Sequence, residues 1–294
     1  MDMRAIMMGL AFAFMWSSAF TSARIIVIDA SPLFSLGWRF LISGLIGVAI
    51  ARAMGQSWRL SRRQWHATIL FGICQNALYL GLNFVAMQTI QASLAAIIAS
   101  TMPLLVALAS RLALGERLKP LGLLGLVAGF AGVAVIMGSR IGAGVDLFGV
   151  ALCLIGVMAL TFATMAVRGA TSGGNFMMVV GLQMLIGSAI LFVAAPLTEV
   201  IRVEPTWRLL AAFAYTTLIP GLTATYVWVL LLDRIGPVRA ATFHFLNPVF
   251  GVGVAALLLG ERLTWLDGVG VAIVTAGILA VQISRRPPAV ARSA

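Results

Sequence analysis

Charged residues are scarce in this 294-residue chain, making up 10% of it against about 25% in a typical soluble domain. Apolar residues make up 61%, and the mean hydropathy is +1.05. A soluble core does not need this many apolar side chains, so most of the chain must face lipid or other membrane-embedded helices. The sequence therefore predicts an integral membrane protein whose main partner is the lipid bilayer.

The residues that usually carry catalysis or bind metals are equally few. The chain has two cysteines and two histidines. Cys74 and Cys153 both lie in apolar runs, where packing is their simplest role. The sequence has no GxSxG or HExxH motif and no evident nucleophile–base pair. We therefore expect no enzymatic activity, no metal site and no cofactor.

Apolar runs of about 20 residues mark the candidate membrane spans. Ten such runs are found, with short connectors and no room for a soluble domain between them. The first is too long for a signal peptide and is followed by nine others, so we interpret it as a retained helix. The runs are roughly 5–27, 33–51, 66–87, 92–113, 120–138, 147–167, 176–195, 208–232, 238–259 and 264–284.

The formal net charge of +11 could indicate a nucleic-acid-binding protein, but its distribution argues against that. When the connectors are assigned alternately to two sides, fourteen Lys and Arg residues fall on the side of the N-terminus and five on the other, with Arg39 inside a span. This asymmetry is the positive-inside pattern. It predicts a multi-pass protein of the cell inner membrane with both termini cytoplasmic, and no nucleic-acid partner.

The charged pentapeptide LGERL occurs twice, at 114–118 and 259–263. The offset of 145 residues also aligns Pro103 with Pro248. The chain thus divides into residues 1–144, residues 145–284 and a basic tail, 285–294. Because each half has five spans, an odd number, the second half must be inverted in the membrane. The predicted fold is all-α, with ten transmembrane helices as two inverted five-helix repeats around a central cavity.

The pentapeptide lies after the fourth span of each half. We expect Gly115 and Gly260 to end their helices, with Glu116 and Glu261 at the water boundary. A structural turn without a chemical role is the favoured interpretation, and a part in gating is the alternative.

Ten spans in two halves, each with a proline and then LGERL after its fourth span, resemble the EamA-type drug/metabolite transporter superfamily over essentially the whole chain. The segments MWSSAF (15–20) and GWRF (37–40) are most similar to YddG-type bacterial amino-acid exporters. The resemblance implies a carrier that moves small metabolites by alternating access. It implies amino acids, including aromatic and apolar ones, as substrates.

Polar residues inside the spans indicate where a cavity would lie. Gln75, Tyr79 and Asn83 recur every four residues, which suits either a cavity face or helix–helix hydrogen bonding. Pro103 and Pro248 should interrupt the fourth and ninth helices at mid-depth. We expect spans one, three, four, six, eight and nine to form the cavity. The predicted cavity residues are Trp16, Ser18, Tyr79, Asn83, Thr101, Met102, Phe162, Tyr226, Trp228, His244 and Asn247.

Arg39 is the single cation inside a span and needs a carboxylate, carbonyl groups or an anionic ligand. It lies only about six residues into its span. A structural tie, or snorkelling toward water, is therefore favoured over substrate contact. Pro220 and Gly221 in the eighth span suggest either a hinge or a cavity wall.

All nine acidic residues fall at span ends or in connectors, whereas proton antiporters usually need a carboxylate inside the membrane. His244 is the single mid-span group that titrates near neutral pH. Facilitated diffusion is therefore favoured, and proton-coupled drug or metabolite antiport is the alternative. A channel would need a ring of polar groups from symmetric subunits, so a duplicated single chain argues against it. We expect a functional monomer.

Overall fold

The structure is a computed structural model that describes residues 2–116, 118–166 and 175–285. Arg117, Arg168 and residues 286–294 of the predicted tail lie outside this part. In the described ranges, ten helices are long and apolar enough to cross a membrane. They are α1 (Met3–Asp29), α2 (Pro32–Ala53), α3 (Arg62–Ala86), α4 (Ala92–Ala113), α5 (Pro120–Gly142), α6 (Leu147–Ala166), α7 (Phe176–Thr198), α8 (Trp207–Leu232), α9 (Ala241–Leu259) and α10 (Trp265–Ser284).

These helices confirm the ten predicted spans. Each has 19 to 27 residues, which at 1.5 Å per residue gives about 28 to 40 Å, the thickness of a bilayer core. The two sides of the bundle are named after the direction of α1. The side where α1 begins is called the N side, and the side where α1 ends is called the far side.

The repeated pentapeptide ends α4 and α9 in the same way. Gly115 and Gly260 have φ values of +66° and +65°, the left-handed conformation in which glycine escapes the Cβ clash. The Glu261 carboxylate accepts hydrogen bonds from the backbone amides of Ala92 (2.7 Å) and Ser93 (3.0 Å), at the start of α4. The repeat-equivalent Glu116 lies 3.9 Å from Arg285. The pentapeptide therefore ties helices together as well as turning the chain.

Both mid-membrane prolines coincide with breaks in their helices. The α4 helix divides into Ala92–Ser100 and Met102–Leu114, directly before Pro103. In α9 a tighter 3₁₀ segment, Ala241–Leu246, precedes Asn247–Leu259 and Pro248. Since proline has no N–H and clashes with the preceding turn, regular helix cannot run through these positions.

Two further irregularities are π-helical turns. One occupies Gly72–Leu80 in α3, and the other occupies Ile219–Thr223 around Pro220 in α8. A π turn contains more than the usual 3.6 residues, so it rotates the residues after it relative to a regular helix. Both turns lie in helices that contribute to the cavity described below.

Helices α5 and α10 pack backbone to backbone through glycines. A β-carbon at Gly277 would lie 2.6 Å from the carbonyl oxygen of Gly125 and 2.6 Å from the amide nitrogen of Gly129. Lipid provides no hydrophobic driving force that holds helices together. The van der Waals contact made by this close approach stabilises the helix pair instead.

We expect Gly277→Ala to destabilise the protein by about 1–3 kcal/mol, because the obstructing atoms are backbone and the helices must separate. Gly268→Ala is the matched control in the same helix. A β-carbon there meets nothing within 4 Å, so this variant should be neutral or slightly stabilising. Thermal unfolding in detergent measures both; equal melting temperatures for the two variants would contradict the packing argument.

Several polar contacts connect helix ends on the far side of the bundle. The Glu199 carboxylate accepts from the amides of Leu33 (3.2 Å) and Phe34 (2.8 Å), at the start of α2. Arg24, near the end of α1, donates to the carbonyl of Met87 just beyond α3. Ala30 and Val203 form an antiparallel bridge. The Glu199 and Val203 contacts join the two halves of the chain at this end.

On the N side, α1 is tied to the segment after α8. Arg234 Nε donates to Asp2 Oδ2 at 3.0 Å. This hydrogen bond lowers the pKa of Asp2 from 3.8 to about 2. Asp2 also caps α1 by accepting from the Ala5 amide.

Candidate functional site

A cavity of about 50 Å³ lies within the bundle, toward the far-side half of α1. It exceeds the roughly 10–15 Å³ that one water molecule needs. The lining residues come from α1, α2, α3 with the turn after it, and α8. They are Trp16, Ala19, Phe20, Ala23, Arg39, Tyr79, Leu80, Asn83, Phe84, Met87, Thr216 and Pro220. This corrects the predicted wall: α2 contributes to it, and α4, α6 and α9 supply none of these residues.

Arg39 supplies the positive charge of the cavity wall. Only 6% of its surface is exposed, so it does not snorkel to water. Its Nε donates to the carbonyl oxygen of Thr216 at 3.2 Å, and its guanidinium carbon lies 5.1 Å from the centre of the Phe40 ring. No carboxylate within the described ranges forms an ion pair with it. In the described structure the Arg39 charge is therefore met by a carbonyl and an aromatic ring, with no carboxylate to neutralise it.

Pro220 explains why the Thr216 carbonyl is available. In a regular helix that carbonyl would accept from the N–H of residue 220, and proline has none. Arg39 donates to the freed carbonyl instead. The neighbouring carbonyl of Thr217 accepts from Ser43 Oγ of α2 at 3.4 Å. The proline thus creates the acceptor that orients the arginine.

Helix α3 contributes part of its predicted polar stripe. Tyr79 and Asn83 both line the cavity. Asn83 Nδ2 donates to the Tyr79 carbonyl at 2.7 Å, and its Oδ1 lies 3.3 Å from Cys153 Sγ. Gln75 is not among the lining residues, and Asn76 bonds to the carbonyl of Gln183 in α7. The stripe therefore serves both the cavity and helix packing.

In α1, Trp16 lines the cavity and Ser18 lies away from its wall. The Ser18 hydroxyl is 2.7 Å from the Tyr215 hydroxyl of α8 and 2.8 Å from the carbonyl of Met15. It joins two helices beside the cavity. Tyr215 was not predicted as a site residue, because nothing in its local sequence indicates a partner almost 200 residues away.

An aromatic cluster adjoins the cavity on its N side. Phe12 lies 5.7 Å from Trp16, 4.6 Å from Trp228 and 5.3 Å from His244, measured between ring centres. His244 Nδ1 is 3.0 Å from Asn247 Nδ2. The Asn247 Oδ1 atom is buried with no hydrogen-bond partner in the described structure. Three predicted residues are thus brought together here, one layer away from the cavity itself.

Thr101 and Met102 contribute to packing at the break in α4. The Thr101 hydroxyl donates to the Ile98 carbonyl at 2.6 Å. Met102 is half-buried against the main apolar core. Neither is among the residues that line the cavity.

Phe162 and Tyr226, which the sequence analysis predicted to line the cavity, are not among its lining residues and are exposed. Phe162 is 61% exposed and shares an outward stripe of α6 with Ile155 and Met158. Tyr226 is 50% exposed, on a stripe of α8 with Leu230. Both stripes repeat at helical spacing, so each lies on one exposed face of its helix. Aromatic residues suit a lipid face as well as a cavity wall, and their sequence neighbours do not distinguish the two.

Ten membrane-spanning helices in two similar halves, enclosing a cavity with a buried charge, define a polytopic membrane transporter. The model of the EamA-like transporter family matches residues 3–138 and again residues 147–283. The chain belongs to the EamA-like transporter family.

Two relatives of this chain are described as uncharacterized transporters. The uncharacterized transporter YvbV of Bacillus subtilis is 26% identical over 251 residues, which cover 85% of this chain and 82% of that protein. The uncharacterized inner membrane transporter YedA of Escherichia coli is 25% identical over 282 residues, covering 94% and 89%. A solved crystal structure with 22% identity and a TM-score of 0.69, covering 97% of this chain and 99% of its own, has the same fold.

Proposed function

We propose that this transporter exports small carboxylate-bearing metabolites, with amino acids that have aromatic or apolar side chains as its substrates. The observation that supports this most directly is Arg39, a buried cavity cation with no carboxylate partner among the described residues. An arginine fork pairs well with a carboxylate. The apolar wall, including Trp16, Phe20 and Phe84, suits an apolar side chain.

The proposed transport cycle is alternating access between the two halves, in a functional monomer whose termini are cytoplasmic. Glu199 accepts hydrogen bonds from the start of α2, and Glu261 accepts them from the start of α4. These far-side bonds would break when the cavity opens to that side. The interrupted helices α4, α8 and α9 supply places where the backbone can bend. Because no acidic residue lies at mid-span, we propose facilitated diffusion down the substrate gradient.

Proteoliposomes that contain the full chain test this proposal. We expect efflux of labelled phenylalanine that unlabelled apolar amino acids inhibit and that sugars and nucleosides leave unchanged. An imposed pH gradient should not alter the rate. No phenylalanine flux above that of empty liposomes would refute the amino-acid proposal. A roughly tenfold response to the pH gradient that is lost in His244→Ala would establish proton coupling instead.

A further inference from the structure

The residues that line the cavity carry positive charge and no negative charge. They include one cation, Arg39, and no acidic residue. An amino acid brings two charges, a carboxylate and an ammonium group. A carboxylate paired with Arg39 leaves the site neutral, but the ammonium group then adds a positive charge with no acidic partner in the wall. In a poorly solvated cavity such a charge is unfavourable.

Three neutral acceptors among the lining residues already accept a hydrogen bond. An ammonium group has three N–H donors to satisfy. The Thr216 carbonyl accepts from Arg39, and the Tyr79 carbonyl accepts from Asn83. Asn83 Oδ1 accepts from the Cys153 thiol. The Thr216 hydroxyl donates to the carbonyl of Ala212 at 2.6 Å and keeps its lone pairs as acceptors, and Tyr79 brings a second neutral hydroxyl to the wall. The wall therefore offers an anion a charged partner, whereas an ammonium group meets only neutral hydroxyls and aromatic rings.

The rest of the wall is apolar and aromatic. Trp16 and Phe20 come from α1, and Leu80 and Phe84 come from α3, so apolar surface faces the cavity from two helices. A ligand that matches this arrangement has a single negative group at one end and an apolar body. Net charge, rather than the amino-acid backbone as such, is then what the site distinguishes.

We propose that the cavity recognises organic monoanions, through a carboxylate on Arg39 and an apolar body against the aromatic wall, and that the α-ammonium group of an amino acid lowers the affinity. This inference rests on the proposed function, because it concerns the same cavity. It extends the substrate class from amino acids to apolar carboxylates that lack an amine.

The experiment compares four molecules with the same phenyl body. Phenylalanine carries both charges, 3-phenylpropanoate only the carboxylate, 2-phenylethylamine only the ammonium, and 3-phenylpropanol neither. We measure inhibition of labelled phenylalanine flux in proteoliposomes and, independently, the thermal stabilisation of the detergent-solubilised full chain. We expect 3-phenylpropanoate to act at concentrations about tenfold lower than phenylalanine, since it leaves no ammonium group unsatisfied. The amine should act no more strongly than the alcohol, and in Arg39→Gln the acid should lose its advantage over the alcohol.

The two measurements separate this inference from the proposed function. If 2-phenylethylamine matches phenylalanine, or if 3-phenylpropanoate binds more weakly than phenylalanine, the monoanion inference is wrong although amino-acid transport stands. If phenylalanine is not transported but 3-phenylpropanoate stabilises the wild-type protein and not Arg39→Gln, the amino-acid proposal fails and the monoanion inference is supported. If neither compound binds, both are overturned.

Discussion

Arg39→Met is expected to lower the transport rate of carboxylate substrates by about 100-fold or more. Removing one partner of a buried, hydrogen-bonded charge pair costs about 2–5 kcal/mol, or some 30-fold to several thousand-fold in affinity. In the proposed site the other partner is the substrate carboxylate, so the whole loss falls on binding and transport. Initial rates of labelled phenylalanine efflux from proteoliposomes measure it.

The same substitution should leave the protein at least as stable as the wild type. Arg39 has no carboxylate partner in the described structure, so methionine replaces a buried cation with an apolar side chain of similar length. Arg52→Met is the matched control, since Arg52 is exposed near the end of the same helix, α2. It should transport like the wild type.

Arg39→Lys separates charge from geometry. Lysine keeps the positive charge but lacks the planar fork that holds both the Thr216 carbonyl and a carboxylate. We expect an intermediate rate. Wild-type transport by Arg39→Met, with lower stability, would show that Arg39 only ties α2 to α8 and that the proposed anion site is wrong.

The sequence was sufficient to predict the ten spans and the breaks at Pro103 and Pro248. Hydropathy fixes which segments cross the membrane, because a span must satisfy its own backbone hydrogen bonds. A proline in a helix has a local steric effect that does not depend on the fold. These features depend on short-range physics, and single segments are enough to recognise them.

The role of Arg39 could not be predicted in the same way. Its position about six residues into the predicted span 33–51 is compatible with snorkelling, and only the packing of α8 against α2 shows that it is enclosed. The acceptor that holds it, the Thr216 carbonyl, is freed by Pro220 on a helix 177 residues away. The sequence shows Arg39 and Thr216, but it does not show that the fold brings them into contact.

The cavity-facing and lipid-facing sides of a helix are also hard to distinguish by sequence. In a soluble protein the polar face is the solvent face, but here both sides of α6 and α8 are largely apolar. Phe162 and Tyr226 were therefore predicted to line the cavity, whereas in the structure they are exposed and are not among its lining residues. The π turn at Gly72–Leu80 has a related effect in α3, because it changes the register on which a stripe of every fourth residue depends.

The largest expected effect on stability concerns Asp267, at the start of α10. Its side chain is fully buried and makes two bonds with Arg140 of α5, from Nε to Oδ1 at 3.2 Å and from Nη2 to Oδ2 at 3.0 Å. The same carboxylate accepts from the Thr264 amide at 2.7 Å and so also caps its own helix. Arg140 further donates to Gln91 before α4. One carboxylate thus holds three segments together on the far side.

We expect Asp267→Ala to destabilise the protein by about 3–5 kcal/mol, because it leaves the largely buried Arg140 without its counter-charge and removes a helix cap. Thermal or denaturant unfolding in detergent measures the loss. Glu204→Ala is the control: Glu204 pairs with Arg202 but is 53% exposed, so its loss should cost at most about 1 kcal/mol. The double variant Arg140→Met/Asp267→Ala should recover much of the stability, since no unpaired charge is left buried. If the double variant is as unstable as Asp267→Ala, the cap and not the ion pair holds the far side of α10.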